Sequence, residues 1–123
     1  MKKPRVVAIL IAFNAPSLTK FGPTVKKGGT IIYDSSIVKD APADLDPSVK
    51  LVGVPFTEIA VDLGKAVVKN IVALGALQAA TQIFPKDTLM DAVRQMLKDK
   101  CALIPLNEQA FDWGIKAAEE LSR

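Results

Sequence analysis

Three clusters of small polar residues stand where an α/β chain could hold a ligand: Asn14 with Ser17, Asp34 with Ser35 and Ser36, and Thr57 with Glu58. Each follows a short apolar run. In a parallel sheet the carboxyl ends of the strands share one edge, and ligands of open α/β sheets collect there. Asn14, Ser35 and Ser36 are therefore the candidates for lining a cleft. A second reading stands beside this one, because Asn, Ser and Thr also cap the turns and helices that follow strands. Glu58 and Asp62 lie one helical turn apart, the spacing of a solvated helix face. Lys26-Lys27-Gly28-Gly29 leads into a strand and not a helix, so it reads as a turn and not as a phosphate cradle. Asn70 falls within an apolar helix, where an unpaired buried amide costs about 1–3 kcal/mol. It needs a partner, either a backbone carbonyl of this chain or a group across an interface. Trp113 is expected to pack on the last helix, not to serve as a stacking platform.

Absent residue types exclude much chemistry. The chain has no histidine and one cysteine, Cys101. That removes disulfide frameworks, Cys/His zinc sites, cysteine-ligated iron–sulfur clusters and every histidine-based acid–base scheme. Cys101, beside Ala102 and Leu103, is expected to be a small buried hydrophobe, and the compartment is expected to be reducing and cytoplasmic. The net charge of +3 arises from short groups such as Lys2, Lys3 and Arg5, and acidic residues are interspersed among them. With few aromatics and no basic face, nucleic-acid binding is not expected. The basic start and the apolar stretch after it lack the cleavage site of a signal peptide. The stretch from Ile71 to Phe84 is broken by Gln78, Thr81 and Gln82 and falls short of the roughly 20 residues of a membrane span.

The elements that must position these residues can be read from pattern. Val6 to Phe13 is a continuous apolar run without alternation, which predicts a central parallel strand covered on both faces. Asn14, Pro16 and Ser17 open a short helix through Phe21, stopped by Gly22-Pro23. Gly28-Gly29 turns into a second strand, Thr30 to Tyr33. Residues 39–50, with Pro42, Pro47 and three aspartates, read as a surface loop. Leu51 to Val54 is a third strand, and Thr57 to Leu63 a short helix capped by Gly64. Ala66 to Phe84 is a helix apolar nearly all round, hence enclosed. Gly75 within it costs about 1 kcal/mol relative to Ala, which points to a close backbone contact. Helices follow from Pro85 and from Pro105, the last with Leu106, Ala110, Trp113, Ala117 and Leu121 on one stripe. The reading is one α/β domain over residues 1–123, Rossmann-like, with a small, mostly parallel sheet. A central strand with so few neighbours implies that part of the sheet is missing.

Taken together, ILIAFNAPS (residues 9–17), KGGTIIYDSS (27–36), VGVPFTEIA (52–60), NIVALGAL (70–77) and LNEQAFDWG (106–114) give the chain a resemblance to a known family. In order and spacing it resembles the gamma subunit of 2-oxoacid:ferredoxin oxidoreductases, the pyruvate oxidoreductase group among them. The resemblance implies a subunit of an enzyme that oxidatively decarboxylates a 2-oxoacid, with coenzyme A accepting the acyl group and ferredoxin the electrons. It also implies that thiamine diphosphate and the iron–sulfur clusters are held by other subunits, so that this chain alone binds no cofactor. The implied partners are alpha and beta subunits, with delta as a further candidate, and ferredoxin through the complex. Members of the family usually begin with a glycine-rich strand–turn–helix and another strand ahead of the position of Val6. The resemblance therefore implies an N-terminally truncated domain, answering to the C-terminal two-thirds of the gamma domain. Two other readings stay open: a free-standing module binding a nucleotide or small acid at the strand edge, and a structural domain that forms a homo-oligomer through an exposed sheet edge.

Overall fold

The computed structural model describes residues 7–39, 45–65 and 68–121. Three strands, β1 (Val7–Ala12), β2 (Val25–Asp34) and β3 (Lys50–Val54), form one parallel sheet in the order β1-β2-β3. Helix α1 (Ala15–Phe21) and a 3₁₀ turn (Gly22–Thr24) connect β1 to β2. After β3 the chain is helical: α2 (Phe56–Asp62), α3 (Lys69–Thr81), α4 (Lys86–Met96), a 3₁₀ turn (Cys101–Leu103) and α5 (Ile104–Leu121). The α/β class and the small parallel sheet expected from the sequence are what is observed. No helix among the described residues is long and apolar enough to cross a membrane.

The central strand is β2, not β1. Consecutive residues of β2 point to opposite faces, and Ile31 and Ile32 are both fully buried, each in a different core. Ile32 joins Val52, Val54 and Phe56 beneath α3 and α5. Ile31 joins Ala12, Leu18 and Val49 on the α1 side. The β1 run also feeds both cores, Ile11 and Phe13 on one face and Leu10 and Ala12 on the other, which is why it reads as doubly covered. Its pairing is nonetheless one-sided among the described residues, with β2 alone. Apolar continuity reports coverage of faces and does not report pairing of edges.

A second correction concerns Gly28-Gly29. This pair lies inside β2, where Val7 pairs with Val25 and Ile9 with Thr30, so β2 bulges around it. Gly28 adopts φ +78°, a conformation that side-chain-bearing residues rarely take. The Gly28 amide donates to Ser48 Oγ at 2.9 Å, and that hydroxyl donates to Asp46 Oδ1 at 2.7 Å, anchoring the bulge to the segment before β3. Of the predicted loop, residues 40–44 lie outside the described residues, and Val49 is buried. Val6, Ala66 and Val67, placed at the starts of two predicted elements, also lie outside them.

The close contact inferred at Gly75 is present. A methyl group built there would overlap the backbone carbonyl of Phe111, and one at Gly114 would overlap that of Val72. Helices α3 and α5 thus meet backbone to backbone, with Ala76, Ala110 and Ala118 fully buried. Met90 and Val93 of α4 complete this core.

A strand-edge hydrogen-bond cluster as candidate functional site

The strand register brings the carboxyl ends together, as Ala12 pairs with Tyr33 and Tyr33 with Gly53. Asn14, Ser35 and Thr57 follow on that one edge. Asp34, the last residue of β2, is fully buried. Its Oδ2 accepts from the Thr57 hydroxyl at 2.6 Å, and its Oδ1 accepts from the Ser36 amide at 3.0 Å and, at a longer 3.5 Å, from the Thr57 amide. The Glu58 amide donates to Ser36 Oγ at 3.1 Å. Two amides in the first turn of α2, which have no partner within the helix, are thereby satisfied from the end of β2.

The three sequence-level candidates divide accordingly. Asn14 is the N-cap of α1, in extended conformation, its Oδ1 accepting from the Ser17 amide at 2.8 Å. Ser36 serves the first turn of α2. Ser35 continues the sheet, its amide donating to the Val54 carbonyl at 3.0 Å, and no described residue engages its hydroxyl. The structure thus aligns the candidates on one edge and gives Asn14 and Ser36 capping work there. Glu58 and Asp62 are exposed, as the solvated-face reading has it.

Three expectations are corrected. Asn70 is exposed, in the first turn of α3, so burial sets it no hydrogen-bonding requirement. Cys101 is exposed, its thiol directed at the Lys98 carbonyl at 3.1 Å, because the turn after α4 runs along the surface. Trp113 is 48 % exposed and lines a cavity of about 380 Å³ with Pro55, Ile59 and Lys116. The buried face of α5 runs through Asn107, Ala110, Phe111, Gly114 and Ala118, rotated from the predicted stripe. Backbone proximity at Gly114 explains the rotation, since the face against α3 must be the one with the smallest side chains.

One residue escaped notice as a candidate. Gln78 is 6 % exposed; its Nε2 donates to the Phe84 carbonyl at 2.7 Å, and its Oε1 meets no donor among the described residues. Its signal was the polar interruption of an apolar helix, one turn beyond Gly75. Elsewhere among the described residues no charged side chain is buried. The Arg94 guanidinium is held above its ordinary range, first by its hydrogen bonds to Glu108 and then by Asp91. Asp46 is held below the ordinary carboxyl range, chiefly by hydrogen bonds from the Ser48 amide and hydroxyl and secondarily by the charge of Lys27.

Comparison with known proteins fits this geometry. The sequence matches the pyruvate ferredoxin/flavodoxin oxidoreductase family over residues 3–117. The VorA subunit of ketoisovalerate oxidoreductase from Methanothermobacter marburgensis is 30% identical over 116 residues, 90% of this chain and 24% of that one. The fold superposes on the gamma subunit of a keto/oxoacid ferredoxin oxidoreductase from Geobacter sulfurreducens with TM-score 0.82 and 28% identity, covering 92% of this chain and 64% of that one. A 2-oxoglutarate:ferredoxin oxidoreductase from Magnetococcus marinus, solved with 2-oxoglutarate, coenzyme A and succinyl-CoA, gives TM-score 0.79 and 26% identity over 93% of this chain and 20% of that one. The chain thus spans about a quarter of that curated relative and about two-thirds of the gamma subunit. With nearly its whole length matched and the same arrangement of strands and helices, the chain belongs to the pyruvate ferredoxin/flavodoxin oxidoreductase family.

Proposed function

We propose that this chain is a gamma-type component of a 2-oxoacid:ferredoxin oxidoreductase, an assembly that decarboxylates a 2-oxoacid, passes the acyl group to coenzyme A and delivers the electrons to ferredoxin. The family match over residues 3–117 carries the reading. The chain's residues do not fit the iron–sulfur clusters of such an assembly. A cubane cluster takes four cysteine thiolates, and this sequence has one cysteine and no histidine. Among the described residues no group of three His, Cys, Asp or Glu side chains could hold a metal ion. In this proposal thiamine diphosphate and the clusters belong to alpha, beta or delta components. This chain supplies a packing surface and, at the strand edge, the Asn14–Ser35–Ser36 margin of a shared cleft facing coenzyme A. The identity of the 2-oxoacid is set on those other components.

The test is reconstitution. The chain is co-expressed with the alpha and beta components, and CoA-dependent reduction of ferredoxin by a 2-oxoacid is measured with and without it. A complex that retains this chain through gel filtration, and loses activity without it, is expected. Full activity in its absence, or failure of the chain to co-purify with either component, would overturn the proposal. One observation favours self-association as a second reading: β1 pairs on one side only among the described residues. Light scattering on the chain alone, showing a dimer that persists when alpha and beta are added, would establish it.

A further inference from the structure

We draw no further inference here: the strongest candidate, the groove between α2 and α5 that Pro55, Ile59, Trp113 and Ala117 line, is an unpartnered apolar face, and nothing in the structure shows what covers it.

Discussion

Replacing Gly75 with alanine directs a methyl group into the Phe111 carbonyl of α5. A backbone oxygen cannot rotate aside as a side chain can, so the two helices must part. In isolation the change favours the helix by about 1 kcal/mol, while overpacking a filled core costs typically about 1–3 kcal/mol. The obstacle is backbone, which places this case at the upper end, and a net loss of about 2 kcal/mol is expected. For a chain of 123 residues this corresponds to a fall in Tm on the order of 8 °C. Gly114→Ala meets the Val72 carbonyl across the same interface and should cost a similar amount. The double variant distinguishes this account from two unrelated defects. One separation of the helices accommodates both methyl groups, so the combined loss should fall well short of the sum. Urea denaturation followed by circular dichroism, with the slope m unchanged, measures all three variants. A Gly75→Ala protein as stable as the parent, or losses that add, would refute the backbone-contact argument.

Thr57→Val removes the 2.6 Å donor to buried Asp34 and should destabilise the chain by about 1–3 kcal/mol in the same assay, with α2 amides losing hydrogen-exchange protection first. Phe111→Ala should cost about 3–5 kcal/mol, whereas Trp113→Ala, at a 48 % exposed position, should cost about 1 kcal/mol or less. Equal losses at the two positions would restore the sequence-predicted stripe. Ser48→Ala removes the hydroxyl bond and keeps the amide of residue 48, the larger cause, so the Asp46 pKa should rise part of the way towards the ordinary carboxyl value in an NMR titration. The contribution of Asp46 to stability is present above its unfolded pKa and is lost as pH falls through the depressed folded value, and the Ser48→Ala protein should show a weaker acid dependence.

Much of the architecture was legible because period and punctuation are local. Pro85 and Pro105 mark helix starts, Gly22-Pro23 and Gly64 mark helix ends, and the run ending at Val54-Pro55 marks a strand. Gly75 announced a backbone contact, and its counterpart was also in view: Ala110, Gly114 and Ala118 recur every four residues, the ridge that a close helix crossing uses. Sheet order was not legible, since β1 and β2 both present apolar residues to two faces and only pairing tells centre from edge. The rotation of α5 eluded periodicity because Trp113 is large and apolar by type, yet the interface selects for smallness. At the strand edge the polar residues could be placed from the sequence, but their capping geometry depends on the register between β2 and β3, which a linear pattern does not contain.

Neighbouring residues of β2, Ile31 and Ile32, anchor separate apolar clusters on opposite sides of the sheet. One peptide unit thus couples the two halves of the molecule, and neither half can loosen without disturbing the footing of the other. Melting should therefore be a single event, with the backbone amides at this junction the last to trade their protons for deuterium.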